Sequence, residues 1–127
     1  MKLLLDTRAL LEFLDGRLAA RRGWVEAVLD EANAVHVSIV SLWEMALKNR
    51  IGKLDADLRE VEEAVTGAGF ALLPIAWHHL HALRTLPVEE GHRDPFDHLL
   101  IAQAIAEDMV FLTADRHAAR YPVRRLS

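Results

Sequence analysis

Short apolar runs alternate along the chain with longer segments in which apolar residues recur at helical spacing. The apolar runs predict strands over residues 2–5, 35–38, 70–73, 110–112 and, as a last edge strand, 123–126. The segments between them predict helices over residues 8–15, 19–32, 41–52, 57–68, 76–84 and from 95 onward. Strands separated by helices require crossover connections. The pattern therefore predicts an α/β fold, a three-layer α/β/α sandwich around a central, mainly parallel sheet.

The caps and buried faces of three of these helices can also be predicted. Thr7 can cap the first helix. In the second helix we expect Trp24, Val28 and Leu29 to face inward. In the third helix the apolar residues on one side are Leu42, Trp43, Ala46 and Leu47.

One stretch near the C-terminus carries several signals at once. Asp94 stands where a helix N-cap belongs, and Pro95 fills the first helical position, where its missing N–H costs nothing. Asp97 falls on the third helical residue, beside free backbone N–H groups and the positive end of the helix dipole. The strand 110–112 follows, and Asp115 lies just past its C-terminal end. Ligand crevices form at this end of the strands in an open α/β sheet.

Composition limits the class of protein. A chain of 127 residues is long enough for one domain, 1–127, but not for two. No apolar run is long enough to span a bilayer, and the start lacks the cleavage pattern of a signal peptide. The absence of cysteine excludes disulfides and thiolate metal sites, so we expect a cytoplasmic protein without a membrane partner. A formal net charge of −4 argues against indiscriminate electrostatic binding of nucleic acid.

Acidic residues recur where a crevice is expected. Asp6, like Asp115, follows the C-terminal end of a predicted strand. Taken alone, Asp6 can be the N-cap of the next helix, and Asp97 can simply interact with the helix dipole. Glu44 taken alone is best explained by a surface ion pair with Lys48, four residues on. Together they favour a site, because two strand ends and one helix N-terminus can converge on one crevice.

Such a cluster would need a counter-charge. Two carboxylates ~4 Å apart at an effective dielectric constant of ~20 repel by ~4 kcal/mol. The cluster must therefore share protons or bind a divalent cation. Oxygen ligands without cysteine suit Mg²⁺ or Mn²⁺ better than zinc. A carboxylate-bound ion of this kind is used in phosphodiester hydrolysis.

Four segments, in this order and at these spacings, carry a resemblance to a known family. They are Leu-Leu-Leu-Asp-Thr (3–7), Val-Ser-Ile-Val-Ser-Leu-Trp-Glu (37–44), His-Arg-Asp-Pro-Phe-Asp-His-Leu-Leu-Ile-Ala-Gln-Ala (92–104) and Phe-Leu-Thr-Ala-Asp (111–115). They resemble the PIN-domain ribonucleases and, more narrowly, the VapC toxins of bacterial type II toxin–antitoxin modules. Gly-Lys-Leu at 52–54 and Leu-Pro-Ile at 73–75 are similar to the same subgroup, so the resemblance covers nearly the whole chain.

The resemblance implies a PIN-like fold, a function and a ligand set. The implied metal ligands and catalytic residues are Asp6, Glu44, Asp97 and Asp115. The implied activity is a Mg²⁺- or Mn²⁺-dependent endoribonuclease toxin that hydrolyses phosphodiesters of a structured RNA such as tRNA or rRNA. The implied assembly is a homodimer that a VapB-type antitoxin neutralises. The chain departs from the subgroup at Arg8, where histidine is common, and at Glu12, where an aromatic residue is common; both changes concern substrate preference.

Two other classes of protein remain open. A phospho-acceptor signalling domain also places carboxylates at the strand ends of a parallel sheet. It needs a lysine near a strand end, however, and Thr113-Ala114-Asp115 follows the fourth strand here. A non-catalytic binding domain could keep the fold and an acidic metal-binding pocket. A weaker candidate for metal binding is the group of His78, His79 and His81, of which His78 and His81 share a helix side, since histidines on a helix surface are usually solvated.

Overall fold

Five parallel strands form the centre of the fold in the computed structural model, which describes residues 1–18 and 21–127. The strands are β1 (Lys2–Leu5), β2 (Ala34–Ser38), β3 (Ala71–Leu73), β4 (Val110–Leu112) and β5 (Arg125–Leu126). Their order across the sheet is β3-β2-β1-β4-β5, and every neighbouring pair is parallel. The predicted central parallel sheet is therefore confirmed, with the expected short strand at one edge.

In the described part of the chain, six α-helices and one short 3₁₀ helix connect and cover the strands. The helices are α1 (Thr7–Leu14), α2 (Arg22–Leu29), α3 (Ile39–Arg50), α4 (Leu58–Gly67), α5 (Trp77–Arg84) and α6 (Pro95–Ala106), and the 3₁₀ helix is Arg116–Arg120. The helices other than α2 lie within two residues of the predicted bounds. The helix α2 begins three residues later and ends three residues earlier than predicted, and residues 19 and 20 of its predicted range lie outside the described residues. The predicted α/β sandwich is confirmed.

The central strands are buried on both faces, as a parallel sheet requires. Alternate residues of β1 point to opposite faces: Leu3 and Leu5 join one hydrophobic cluster, whereas Leu4 joins the other. The first cluster includes Trp24 of α2 and residues of α1 and α4, and the second is formed largely by α6. β1 therefore holds the two outer layers together.

Two predicted helix faces were correct only in part. In α2, Trp24 and Val28 are buried as expected, but Leu29, the last residue of the helix, is 72% exposed. In α3, Trp43 of the predicted apolar side is 50% exposed, whereas the neighbouring Glu44 is buried. Apolar residues lie around most of α3, so their spacing alone does not determine which side contacts the sheet.

The strand order creates a switch point between β1 and β4. From β1 the chain moves in one direction to β2 and β3, then crosses back to add β4 and β5 on the other side of β1. The connections leaving β1 and β4 therefore diverge at the carboxyl ends of these strands and open a crevice. None of the helices in the described parts of the chain is long and apolar enough to cross a membrane.

Candidate metal centre

Asp6 stands directly after β1, at the switch point, and is 5% exposed. Its backbone N–H donates to the Leu112 carbonyl at 3.0 Å, and its Oδ1 accepts the Ala9 N–H at 2.7 Å. Asp6, not Thr7 as predicted, is thus the N-cap of α1. Burial raises the pKa of Asp6, although hydrogen bonds from Thr113 and Ala9 oppose the shift. The cap occupies only Oδ1 of Asp6, and the carboxylate still lines the crevice.

Asp97 reaches the same crevice from the N-terminus of α6. Asp94 Oδ1 accepts the Phe96 N–H at 2.9 Å and the Asp97 N–H at 3.4 Å, and Pro95 fills the first helical position, so the predicted cap of this helix is confirmed. Burial is the largest cause of the raised pKa of Asp97, about 7, and the negative charges of Asp94 and Asp115 add to it. Repulsion from Asp6 and Glu44 acts in the same direction.

Glu44 enters the site from α3, which begins immediately after β2. Its Oε2 accepts a hydrogen bond from Lys48 Nζ at 2.7 Å, so the predicted ion pair is present. The pair is not a surface pair, however, because only 7% of the Glu44 side chain is exposed. Glu44 Oε1 is buried and has no hydrogen-bond partner among the described residues. A buried carboxylate oxygen without a partner is costly unless another group, such as a cation, satisfies it.

Asp115 follows β4 and begins the 3₁₀ helix, where its Oδ1 accepts the His117 N–H at 2.9 Å. The His117 ring nitrogen Nδ1 lies 2.9 Å from the same oxygen. Desolvation raises the pKa of Asp115, but the two His117 contacts outweigh it and leave this pKa below its ordinary value. Thr113, which is buried, accepts the Asp115 N–H at 3.0 Å and hydrogen-bonds Asp6, so it joins the ends of β1 and β4.

A crevice of about 430 Å³ brings the four predicted residues together. Its lining residues are Asp6, Thr7, Arg8, Leu11, Glu44, Lys48, Asp97, Ala114, Asp115, Arg116 and His117. Carboxylates thus converge from two strand ends and two helices, and three basic side chains lie at the same crevice. The arrangement can bind a divalent cation through oxygen atoms and an anionic group beside it.

His92 is the residue of the site that sequence reasoning missed. Its ring is 5% exposed, and its Nε2 lies 3.5 Å from Asp97 Oδ2 and 3.8 Å from Asp115 Oδ2. His92 Nδ1 lies 2.8 Å from the hydroxyl of Tyr121. Burial lowers the pKa of His92, and the nearby His98 adds to this effect. In the sequence, His92 opens the segment 92–104 that carries the family resemblance, five residues before Asp97, but this position gives no direction for the ring.

A second cluster, at the C-terminal end of α6, consists of His78, His79 and Glu107. His79 Nδ1 accepts the Ala76 backbone N–H at 3.0 Å, so the proton of a neutral ring is on Nε2. That N–H donates to Glu107 Oε2 at 2.8 Å, and His78 contacts the same oxygen. These contacts lower the pKa of Glu107. The hydrogen-bond pattern explains the cluster as a link between α5 and the end of α6, without a metal ion.

Comparisons with solved structures place this architecture among known folds. The chain is similar to VapBC2 from Rickettsia felis bound to a DNA fragment from their promoter, with 15% identity, a TM-score of 0.75, and coverage of 99% of this chain and 98% of that chain. It is similar to VapBC-1 from nontypeable Haemophilus influenzae, with 13% identity, a TM-score of 0.67, and coverage of 100% and 98%. It is also similar to FitAcB from Neisseria gonorrhoeae, with 21% identity, a TM-score of 0.63, and coverage of 98% and 96%.

The amino-acid sequence matches one known family over nearly the whole chain. A comparison with curated proteins finds no match. The PIN domain family, in contrast, matches residues 3–123, a range that contains every acidic residue of the crevice. The parallel sheet, the acidic crevice at its switch point and this match agree, and the chain belongs to the PIN domain family.

Proposed function

We propose that this protein is a divalent-metal-dependent endoribonuclease of the VapC toxin type. The observation that carries the proposal is the convergence of Asp6, Glu44, Asp97 and Asp115 on one crevice at the switch point of the sheet. Membership of the PIN domain family and the structural similarity to VapBC2 and VapBC-1 support the same function. We also propose a cytoplasmic location for the toxin, which a sequence without cysteine supports.

The residues of the crevice fit a divalent ion. The pKa of Asp97 is raised because its charge is buried among other negative charges, and Glu44 Oε1 lacks a partner among the described residues. Both features are relieved by a bound cation. The ligand atoms are carboxylate oxygens, which suit Mg²⁺ or Mn²⁺. We assign Asp6 and Asp97 as direct ligands, with Glu44 and Asp115 completing the site.

The proposed ion and the basic side chains of the crevice would have different parts in hydrolysis. The bound ion would supply a water nucleophile at neutral pH and stabilise the charge that develops on the scissile phosphate. Arg8, Lys48 and Arg116 line the crevice and can contact RNA phosphates on either side of it. Lys48 is additionally held by Glu44, and this hydrogen bond raises the pKa of Lys48, so its positive charge is kept at the crevice. We propose a structured RNA such as tRNA or rRNA as the substrate.

The same proposal includes two protein partners. A homodimer and a VapB-type antitoxin are expected from the toxin assignment, and the similarity to VapBC structures supports the antitoxin. The crevice is acidic and partly open, so an arginine or lysine of the antitoxin suits it by charge. We expect a small neighbouring gene whose protein product has a DNA-binding N-terminus. Co-purification with that product should abolish the ribonuclease activity.

The test is cleavage of total tRNA and rRNA by the purified protein. We expect cleavage with added Mg²⁺ or Mn²⁺, none in excess chelator, and none from Asp97→Asn with either ion. Asp57→Asn is the control for loss of a carboxylate near a helix N-terminus. Asp57 caps α4 and lies outside the crevice, so this variant should cleave RNA like the wild type. Cleavage that survives rigorous chelation, or that Asp97→Asn retains in full, contradicts the proposed function.

A further inference from the structure

We infer that His92 is a positioning residue, which donates from Nε2–H to the carboxylates of Asp97 and Asp115 and is fixed in that state by the hydroxyl of Tyr121. The inference rests on the proposed function, because it assigns His92 a role in preparing the ligands of the proposed metal ion. Three features of the ring carry it: its burial, its unpartnered nitrogen and its contact with Tyr121.

The unpartnered nitrogen of His92 is directed at the site. His92 Nε2 is buried and has no hydrogen-bond partner among the described residues. The two nearest carboxylate oxygens, on Asp97 and Asp115, lie 3.5 and 3.8 Å away. These distances are slightly longer than a hydrogen bond, and a shift of about 0.5 Å in either carboxylate completes one. A buried donor between two acceptors in this arrangement restrains both carboxylates.

Electrostatics and hydrogen bonding select the same tautomer of His92. A lone pair on Nε2 would face two carboxylates, whereas an N–H bond at that position points its positive end at them. A neutral ring with its proton on Nε2 has a free acceptor at Nδ1, and the Tyr121 hydroxyl, 2.8 Å away, can donate to it. The hydrogen-bond chain thus runs from the Tyr121 O–H through the ring to the carboxylates.

The surroundings of His92 hold the ring in place. The ring stacks on that of His117 with centroids 4.8 Å apart and an interplanar angle of 3°. The edge of the His98 ring contacts it, with centroids 4.7 Å apart, and His98 Nε2 bonds the His92 carbonyl at 2.9 Å. Little rotation is available to such a ring, so its Nε2–H is a fixed donor.

The stacked geometry also shows why His92 is not assigned as a metal ligand together with His117. An ion bound to an imidazole nitrogen lies in the plane of the ring. The rings of His92 and His117 are parallel and stacked, so no point lies in both planes. The cluster of His92, Asp115 and His117 is therefore better explained by hydrogen bonding to the carboxylate than by shared coordination. Outer partners of this kind orient metal-binding carboxylates.

Two substitutions of His92 test the donor at Nε2 separately from the rest of the ring. A glutamine amide nitrogen reaches close to the position of histidine Nε2, whereas an asparagine side chain reaches only to that of Nδ1. His92→Gln therefore keeps a donor toward Asp97, and His92→Asn keeps the contact with Tyr121 but loses that donor. His81→Asn, on the exposed surface of α5, is the control for the loss of a histidine.

The experiment measures Mn²⁺ binding by calorimetry. It also measures the tautomer of His92 by long-range ¹H–¹⁵N correlation in the metal-free protein at about pH 8, above the pKa of Asp97, where this group is a carboxylate acceptor. We expect the ring proton on Nε2. We expect the Kd for Mn²⁺ to rise about 10–100-fold in His92→Asn, with His92→Gln and His81→Asn near the wild-type value. Tyr121→Phe, which removes the hydroxyl that fixes the tautomer, should shift part of the His92 population to the Nδ1–H form.

The outcomes distinguish this inference from the proposed function. Wild-type protein with its proton on Nδ1, or equal Mn²⁺ affinity in His92→Asn and wild type, overturns the role of His92 while metal binding and RNA cleavage stand. Wild-type protein that binds no Mn²⁺ overturns the proposed function and this inference with it. The tautomer measurement needs no substitution, so it tests the inference even if a variant fails to fold.

Discussion

At the scale of single residues, the metal-free site is electrostatically strained, and Asp97 carries most of that strain. Burial and neighbouring carboxylates raise its pKa from 3.8 to about 7, with Asp94 the largest of the charges. Each pKa unit corresponds to about 1.4 kcal/mol of differential interaction. The folded protein therefore keeps a proton on Asp97 over a pH range in which the unfolded chain has lost it. In that range the stability of the metal-free protein falls as pH rises.

This sign leads to a prediction for Asp97→Asn in the absence of metal. Near pH 5 the folded wild-type protein already holds Asp97 neutral, so the variant gains less there; near pH 8 we expect it to be more stable than wild type by about 1–3 kcal/mol. Because Mg²⁺ binds only the folded state, it should raise the Tm of wild type but have little effect on the variant. Thermal melts at both pH values, with and without Mg²⁺, check this. A variant that melts below wild type at the higher pH would show that Asp97 is mainly a structural group.

At the scale of elements, helix ends place the site. β1 ends at Leu5 and α1 begins at Thr7, so Asp6 is both a cap and a crevice residue. The N-terminus of α6 separates these tasks between two residues, because Asp94 accepts the backbone N–H groups and Asp97, one turn further in, lines the crevice. A cap sets where a helix begins, and therefore where its first turn delivers a carboxylate.

We predict that the two aspartates of α6 respond differently to substitution. Asp94→Ala should lose about 0.5–2 kcal/mol of stability, and Asp94→Asn should lose less, because asparagine also caps helices well. Both variants should still cleave RNA, whereas Asp97→Asn should fold and be inactive. Asp57→Ala, which removes the cap of α4, is the matched control for a loss of stability alone. Melting temperature and cleavage are measured side by side; loss of cleavage in Asp94→Asn, with cleavage retained by Asp97→Asn, would mean that the ligand was assigned to the wrong aspartate.

At the scale of the whole molecule, large apolar side chains remain exposed on α3 and α5. They are Trp43 and Leu47 of α3, Ile51 at its C-terminal end, and Trp77 and Leu80 of α5. The two helices α3 and α5 both pack on α6. Trp24, in contrast, is fully buried in α2, as predicted. Exposed apolar side chains on two helices that pack on the same third helix favour an interaction surface.

We predict that a homodimer covers this surface. Trp77 is 79% exposed, and Trp77→Ser should shift the protein toward a monomer that remains folded, because the side chain contributes little to the core of the protomer. Leu29→Ser is the matched control, since Leu29 is 72% exposed but lies on α2. Light scattering after size-exclusion chromatography gives the mass of each protein. A wild-type monomer, or a Trp77→Ser variant that stays dimeric, is inconsistent with this interface.

The sequence by itself determined the layers of the fold and the acidic positions. Apolar runs separated by helical segments specify a parallel sheet because the burial of strands and helices follows local periodicity. The cap at Asp94 could be predicted for the same reason, since its partners, Phe96 and Asp97, are two and three residues away. The sequence likewise indicates the acidic candidates Asp6, Glu44, Asp97 and Asp115, and the structure places them in one crevice.

Only the tertiary structure decided what depends on contacts between distant segments. Burial of Glu44, with one oxygen unpartnered among the described residues, follows from the rotation of α3 against its neighbours. The direction of the His92 ring depends on its contact with Tyr121, which lies 29 residues further along the chain. Tyr121 directly follows the 3₁₀ helix, which places its hydroxyl beside the ring. The raised pKa of Asp97 likewise depends on charges brought from β1, α3 and the end of β4. Periodicity reports on one element at a time, whereas the environment of these groups is set by how elements pack together.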